Sequence, residues 1–350
     1  MAAASIIPAH HRFVKAIATA LRHRCRVGSG AKVLAAVSGG GDSVALVRAL
    51  TALAPRRRWN LHLAVAHVQH HLRDLNGDGE CDALFTQQLA GRLGLPFYRR
   101  DLDLTTSRRP SNTEARARSA RYQALGDIAH QCGAQFVATA HHGDDQLETL
   151  LMRLLRGASV RGMSAIVWRR CLYSGCEVRL IRPMLNVQRA DVITFLDDLQ
   201  QDWRQDHTNY DVTRLRARLR RDVLPVLRAI RPGTTRGAQR VAEHMYSATR
   251  LLDETVDHIA HQVIRTVATD TFIVDRPIAQ HLQEIVLTEL IRRQLLLCGA
   301  APDSLGHNAL APVVIAVRDH QGGRRRFTFS GAATVTITRQ RISIRSGSEG

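Results

Sequence analysis

The chain has 350 residues, enough for two domains or three at about 150 residues each. Hydrophobic residues make up 45% and charged residues 23% of it, close to globular averages, and no apolar run approaches the roughly 18 residues that cross a bilayer, so an integral membrane protein is excluded. Lysine and arginine number 49 against 31 acidic residues, a net charge of +18. All but two of these cations are arginines, whose guanidinium matches phosphate bidentately, so the charge favours a nucleic-acid partner, with a solvated basic surface as the alternative.

The six cysteines show neither the density nor the pairing of a secreted scaffold, so a reducing, cytoplasmic location is predicted. The closest pair, Cys171 and Cys176, has no second pair or histidine beside it, which argues against structural zinc. The first 41 residues contain no acid, a composition that organelle transit peptides share. Because this stretch runs straight into an apolar strand, we interpret residues 13–26 as an ordinary first helix.

The first apolar run, residues 33–37, is closed by the sequence SGGGDS at 38–43, after which apolar residues recur with helical spacing up to Leu50. This order predicts a strand, a glycine loop and a helix. Further apolar strands are predicted at 61–67, 96–102 and 135–140, with helices at 81–93 and 112–132. The alternation indicates an α/β fold with a parallel sheet covered on both faces.

Beyond residue 185 the periodicity becomes helical, at 189–201 and 213–230, and Arg231-Pro232-Gly233 then interrupts the chain. A domain boundary is therefore predicted near residue 232. Helices are predicted again at 241–267 and 285–297, and three short strands follow in the tail, at 324–329, 334–338 and 341–344.

A glycine loop between a buried strand and a helix lets the backbone approach a phosphate closely, and the helix start aims unpaired N–H groups at the anion. Ser38 and Ser43 add hydroxyl donors. Asp42 stands at the helix start, where it could reach a metal that bridges phosphates or, alternatively, cap the helix. The spacing matches neither the Walker P-loop nor the G-x-G-x-x-G dinucleotide motif, which leaves the pattern S-G-G-x-D-S.

That pattern resembles the pyrophosphate loop (PP loop) of ATP-adenylating enzymes, and later segments resemble the tRNA(Ile)-lysidine synthetase family in the same order over roughly residues 30–232. The matching segments are HVQHHLR at 67–73, EAR at 114–116 with Arg121-Tyr122, AHHGDDQLET at 140–149, LLRG at 154–157, IRP at 181–183, Trp203-Arg204 with Asp206 and Asn209, and the Arg-rich helix ending at Leu224-Pro225. Two positions depart from the family pattern: His71 stands in place of glycine and Ala217 in place of asparagine.

The resemblance implies an adenine-nucleotide α-hydrolase-like PP-loop domain that uses ATP and Mg²⁺. It implies that L-lysine is ligated to C2 of cytidine 34 in the CAU anticodon of isoleucine tRNA: the C2 oxygen is adenylated with loss of pyrophosphate, and the amine then displaces AMP. The predicted domains are an N-terminal helix and lead-in at 1–30, the catalytic domain at 31–215, a linker helix at 216–232, and a tRNA-binding domain at 233–350, mainly helical to about 315 and then short strands.

The resemblance also implies a set of site residues. The predicted catalytic residues are Asp42, Asp145, Glu148 and Arg218, with Asp42 as the metal ligand. The predicted nucleotide-binding residues are Ser38, Gly39, Gly40, Gly41, Asp42, Ser43, His67 and His141, and the substrate-binding residues are Arg116, Arg121, Asp145, Glu148, Arg216 and Arg220. Asp145 and Glu148 share a helix face at three-residue spacing and so suit an ammonium group, the alternative being a solvated face with Arg153 as partner. His141 is interpreted as a nucleotide contact or a general base, or as a structural residue.

Two other functions stay open. A tRNA thiolase of the same superfamily would need a persulfide cysteine and often a C-x-x-C pair, neither of which is apparent. A non-catalytic basic RNA-binding protein on this fold would need only the charge, but it would have no use for an intact loop and acid pair. The sequence leaves open whether the protein forms a homo-oligomer.

Overall fold

A computed structural model describes residues 10–70, 78–102, 113–204, 215–268, 270–319 and 323–347. The chain divides into two compact units. Unit 1 comprises Met1–Ala158 and Gly162–His244, and unit 2 comprises Ser159–Arg161 and Met245–Gly350. The boundary predicted near residue 232 falls within unit 1. The assignment of separate roles to residues 1–30, 31–215, 216–232 and 233–350 stays a prediction.

Unit 1 contains a six-stranded sheet in the order β3-β2-β1-β4-β6-β5. Its strands are parallel except for the last, which runs antiparallel to its neighbour. The predicted parallel sheet is confirmed, and the sheet gains two short strands that the sequence patterns did not indicate. The strands are β1 Lys32–Ala36, β2 His62–His70, β3 Phe97–Leu102, β4 Phe136–Ala138, β5 Arg169–Cys171 and β6 Arg179–Ile181.

Helices surround this sheet, and a π-helical turn at Leu219–Val223 joins two of them. The Arg-rich helix predicted at 213–230 is thus divided into three pieces over its described part. The helices are α1 Arg12–His23, α2 Gly41–Leu53, α3 Asp78–Arg92, α4 Thr113–Cys132, α5 Gly143–Leu154, α6 Val160–Met163, α7 Arg189–Asp198, α8 Leu215–Arg218, α9 Leu224–Ile230 and α10 Thr234–Val263, the last of which continues into unit 2.

The strand β1 is apolar from Val33 to Ala36 because these residues are buried on both faces of the sheet. Val33 and Ala35 point into a core shared with α1 and α2, whereas Leu34 and Ala36 point into a second core shared with α4. Successive side chains of a strand alternate between faces, so a doubly covered strand has no polar side. The predicted first helix is confirmed as α1, and its Phe13 stacks on Phe195 with ring centroids 4.4 Å apart.

Unit 2 combines helices with a five-stranded antiparallel sheet in the order β7-β8-β11-β10-β9. The three tail strands are confirmed, but the helix predicted at 241–267 ends at Val263, and two strands follow where helix was expected. The strand β7 pairs with β8, and β8 pairs in turn with β11, about 70 residues away, which local periodicity does not reveal. The elements are β7 Ile264–Ala268, β8 Thr271–Asp275, α11 Arg276–Ala279, α12 Glu284–Leu297, a 3₁₀ turn Pro302–Ser304, α13 His307–Arg318, β9 Arg325–Thr328, β10 Thr334–Ile337 and β11 Arg341–Arg345.

None of the helices within the described ranges is both long enough and apolar enough to cross a membrane.

Candidate active site

The site lies where the chain changes direction across the sheet of unit 1. From β1 the chain adds β2 and β3 on one side, then returns to place β4 on the other side of β1. In open α/β sheets this reversal leaves a crevice at the carboxyl ends of the two central strands, where ligands bind. The glycine loop follows β1 there, and the segment containing His141 and His142 follows β4.

The hydroxyl of Ser43 closes the glycine loop on itself. It donates to the Gly40 carbonyl at 2.8 Å and accepts from the Ser38 N–H at 3.2 Å. Gly39 has φ +90°, a conformation that favours glycine. Gly40 is the N-cap of α2 and has no side chain to satisfy the first N–H groups, so they are available to an anion. Asp42 is therefore not the N-cap, and that alternative is wrong.

Neighbouring side chains hold the loop in place. The Arg204 N–H donates to the Gly39 carbonyl at 3.0 Å, and the Arg204 Nε donates to Asp82 at 2.9 Å. His67 is buried, with its Nδ1 3.0 Å from the Val37 carbonyl, and burial lowers its pKa despite that hydrogen bond. His67 thus supports the end of β1, and direct contact with a nucleotide stays a prediction.

A buried histidine, His142, joins the loop to the acids at the start of α5. Its Nε2 lies 3.6 Å from an Asp42 oxygen and its Nδ1 lies 3.6 Å from Asp145 and 3.9 Å from Asp144. Burial alone would lower the pKa of His142, but the three carboxylates outweigh it and the pKa is raised. We call Asp42, His142, Asp144, Asp145 and Glu148 the acid cluster.

Asp42 has one oxygen in an ion pair and the other without a donor. Its Oδ2 is 3.2 Å from Arg189 Nη1, whereas its buried Oδ1 has no hydrogen-bond partner among the described residues. Burial would raise the Asp42 pKa, but His142 and Arg189 together hold it below its usual value. A buried, ionised oxygen without a donor fits a cation.

The surroundings of Asp42 suit Mg²⁺ better than a metal held by the protein alone. Within the described ranges, no group of three or more His, Cys, Asp and Glu side chains is arranged to hold a metal ion. Mg²⁺ in phosphate sites commonly takes one or two carboxylates and completes its shell with phosphate oxygens and water. Asp42 therefore fits as a single protein ligand.

Two arginines form ion pairs with Asp145 and Glu148 of α5. Glu148 is 1% exposed, and its oxygens accept from Arg216 Nε at 2.7 Å and from Arg220 Nε at 2.5 Å. Asp145 accepts from Arg220 Nη2 at 3.1 Å and, through its other oxygen, from the His142 N–H at 2.9 Å. We call Asp145, Glu148, Arg216 and Arg220 the arginine clamp. All four carboxylate oxygens have a donor, so the predicted solvated face with Arg153 as partner is wrong.

Asp144 anchors α5 to later parts of unit 1. It accepts from the Arg189 N–H at 2.7 Å, from Arg228 at 2.8 Å and from the Thr235 hydroxyl at 2.9 Å. A Cβ on Gly143 would lie 2.8 Å from Thr235 Cγ2 and 3.0 Å from the Val187 carbonyl, so only glycine fits there. Sequence reasoning missed Arg189, Arg228 and Thr235, because nothing local marks a partner 45 to 91 residues away.

The remaining predicted residues are spread around this centre. His141 Nδ1 lies 3.0 Å from the Thr139 hydroxyl, and burial followed by nearby arginines, first Arg182, lowers its pKa well below the usual value. Arg121 lines a cavity of about 70 Å³ together with Ser38 at the end of β1. Arg116 and Arg218 are exposed, and the described partners of Asp145 and Glu148 are Arg216 and Arg220 rather than Arg218.

Comparison with known proteins identifies the family of the chain. A model of the PP-loop domain matches residues 10–227. The chain is 40% identical to the tRNA(Ile)-lysidine synthase of Geobacter sulfurreducens over 65% of this chain and 47% of that protein, 32% identical to that of Nostoc sp. over 69% and 68%, and 36% identical to that of Synechococcus sp. over 69% and 71%. The chain thus spans about half the length of the Geobacter relative.

A solved structure supports the fold. The U34-tRNA thiolase NcsA from Methanococcus maripaludis superposes with a TM-score of 0.55 at 18% identity, covering 67% of this chain and 80% of that one. At this identity the likeness concerns the fold alone. The family-model match and the Nostoc and Synechococcus relatives together show that the chain belongs to the PP-loop family of tRNA(Ile)-lysidine synthases.

Proposed function

We propose that this chain ligates L-lysine to C2 of cytidine 34 in isoleucine tRNA with a CAU anticodon. The observation that carries the proposal is the meeting of an anion-binding loop and an acid cluster through His142 at one crevice. The loop can hold pyrophosphate, and the acid cluster can hold a cationic amine. The reaction needs both within reach of one carbon atom.

The first step is adenylation. The C2 oxygen of cytidine attacks the α-phosphorus of ATP, the α–β P–O bond breaks, and pyrophosphate leaves. The Ser38 hydroxyl and the N–H groups at the start of α2 bind the departing pyrophosphate. The Ser43 hydroxyl closes this loop and can reach the pyrophosphate by exchanging its bond to the Gly40 carbonyl. Asp42 would hold Mg²⁺ through its unpaired oxygen, and the ion would supply positive charge to the phosphates. Arg121, beside Ser38, borders the space for the nucleotide.

In the second step the lysine amine attacks C2 and AMP leaves with the former C2 oxygen. Asp145 and Glu148 attract the amine while it is still an ammonium ion, and Arg216 and Arg220 hold charge complementary to the AMP phosphate. Because every oxygen of the acid pair already has a donor, the ammonium must displace at least one guanidinium hydrogen bond. Half-exposed arginines can make that exchange with water or phosphate.

The attacking amine must lose protons, and His141 is the candidate acceptor. Its depressed pKa keeps the imidazole neutral near pH 7, as an acceptor requires. Its Nδ1 lies 3.0 Å from the Thr139 hydroxyl, and in the tautomer whose Nδ1–H donates to that hydroxyl, Nε2 is available to receive the proton. The exposed Arg218 is the remaining candidate for stabilising negative charge during either step.

Mass spectrometry of the tRNA tests the proposal. Isoleucine tRNA with a CAU anticodon is incubated with ATP and lysine, and the modified nucleoside is identified after digestion. We expect lysidine at position 34 only when ATP and lysine are both present, and none in a tRNA without C34. A sulfur-containing base after addition of a sulfur donor would instead favour the thiolase, and RNA binding without any turnover would favour the non-catalytic protein.

A further inference from the structure

A groove opens in unit 1 beside the acid cluster, between the end of α1 and the start of α10. Its volume is about 380 Å³. Thr19, Ala20, His23 and Arg24 line one side, and Arg236, Gln239 and Arg240 line the other. No part of the reaction described above uses this groove.

The groove carries an excess of positive charge. Arg236 and Arg240 are exposed and four residues apart on α10, so their side chains leave the same face of the helix, about 5–6 Å apart at Cβ. Neither forms an ion pair or a side-chain hydrogen bond with any residue that the structure describes. Unpaired guanidinium groups on a rigid helix are well placed to bind phosphate.

The acidic residue in the groove, Glu243, is already neutralised. It accepts from Arg24 at 3.1 Å, from Trp168 Nε1 at 3.1 Å and from Gln239 at 3.0 Å. Arg24 also lies over the Trp168 ring, 5.7 Å from its centroid. Glu243 thus fixes one wall of the groove and does not offset the charge of Arg236 and Arg240.

The groove shares residues with the catalytic elements. Gly143, which begins α5, and Thr235, which hydrogen-bonds Asp144, both line it. A strand of RNA whose cytidine reaches the acid cluster would therefore have backbone close to this groove. By contrast, Arg216 and Arg220 of the Arg-rich helix are held by carboxylates, and Arg221 pairs with Asp222, so these arginines are less available to phosphates.

We propose that the groove lined by Arg236 and Arg240 binds the phosphate backbone of the tRNA strand that flanks the reacting base. The choice of RNA as ligand rests on the proposed function. An open groove with two unpaired arginines and no free acid suits a polyanion. Contacts to phosphate do not read the identity of the bases. They set the affinity and the position of the strand, and the choice of base is left to the active site.

The test replaces both arginines and measures binding without chemistry. The Arg236→Gln/Arg240→Gln variant is compared with Arg57→Gln/Arg58→Gln, which removes the same charge from exposed residues in the connection between α2 and β2, outside the lining of the groove. Affinity for isoleucine tRNA is measured across a salt series without ATP or lysine. Two lost phosphate contacts should reduce the slope of log affinity against log salt by about 1.4 to 1.8 and weaken binding about tenfold or more. The control should behave like the wild type.

Each outcome decides the proposal. Equal losses in the two double variants would reduce the effect to net charge and overturn it. Wild-type tRNA affinity in the groove variant, with loss of inorganic phosphate binding, would make the groove a small-anion site and also overturn it. If the groove variant alone loses tRNA affinity but the wild type makes no lysidine, the groove stands and the proposed function fails. Lysidine formation with a raised tRNA KM and unchanged kcat in the groove variant would support both.

Discussion

Each unit contains a network of arginines and carboxylates, and the two networks differ in what they leave unsatisfied. In unit 2, Arg161, Arg292 and Arg293 meet Asp253 and Glu289, and both oxygens of each of these acids accept hydrogen bonds. In unit 1, the Asp42 Oδ1 is buried without a donor among the described residues, while the ring nitrogens of His142 face carboxylates at 3.6 to 3.9 Å. Both networks consist of arginines and carboxylates, so the residue types alone do not show which network belongs to the active site.

Position explains the difference. The unit 2 network ties Ser159–Arg161 to helices α10 and α12, where every carboxylate oxygen of Asp253 and Glu289 is paired and the buried atom without a partner among the described residues is a donor, Arg161 Nε. The acid cluster lies at the carboxyl ends of β1 and β4, next to a loop with free N–H groups. Buried polar atoms normally have partners, so atoms that lack one beside a crevice point to a missing ligand. The active site is therefore distinguished by its location at the strand ends and by a buried carboxylate oxygen without a donor.

The largest expected effect comes from removing the unsatisfied oxygen. Asp42→Asn should lower the rate of tRNA-dependent pyrophosphate release by a hundredfold or more, since the charge that holds the cation is lost. Thermal stability should change much less, because the half-exposed Arg189 can turn to water and His142 keeps Asp144 and Asp145 as partners.

The matched control is Asp253→Asn in unit 2, which should lower the melting temperature and leave turnover at saturating tRNA near wild type. Comparable loss of turnover in the two variants would remove the distinction between the networks.

The second prediction concerns the arginine clamp. Glu148→Gln should raise the KM for lysine about tenfold or more while changing the KM for ATP less, because a charged partner contributes about 1.5–3 kcal/mol to binding a cation. The two Michaelis constants are measured separately. If pyrophosphate release without lysine falls instead and the lysine KM is unchanged, Glu148 serves to position Arg216 and Arg220 for adenylation.

Much of this site is predictable from sequence where the determinants are local. The apolar run of β1, the glycine loop and the shared helix face of Asp145 and Glu148 follow from short periods and were read correctly. The clamp was not, because Arg216 and Glu148 are 68 residues apart and no spacing rule joins them. The strand β8 was missed for the same reason, since its partner β11 lies in the tail, and β7 was missed with it because β7 pairs with β8.

A smaller effect is expected at the anchor of α5. Gly143→Ala should destabilise unit 1 by about 1–3 kcal/mol, the usual cost of overpacking, because the new methyl group meets both Thr235 and the Val187 carbonyl. Chemical denaturation followed by fluorescence measures this. In a Thr235→Ser background the side-chain clash is relieved and the hydroxyl that binds Asp144 is kept, so part of the loss should be recovered. Full stability of the single variant would contradict the close packing.

The smallest effect concerns acid pH, where the two networks should resemble each other. Burial would raise the pKa of Asp144 and of Asp253, but their partners outweigh it. Hydrogen bonds from Arg189 and Thr235 and the nearby His142 hold the Asp144 pKa below its usual value, and Arg161 and Arg293 do the same for the Asp253 pKa in unit 2. A depressed carboxyl pKa stabilises the fold fully above the unfolded value, and the contribution disappears as pH falls through the folded value.

Each unit should therefore lose stability below about pH 4, by at most about 1.4 kcal/mol per pH unit for each such carboxyl. All three tryptophans, Trp59, Trp168 and Trp203, lie in unit 1, so their fluorescence follows that unit, whereas circular dichroism follows both. Asp144→Asn should flatten the acid limb of the fluorescence curve, and Asp253→Asn should leave it unchanged. An acid limb that stays equally steep in Asp144→Asn would show that Asp144 is not ionised in the folded unit, and the anchoring of α5 would then need another explanation.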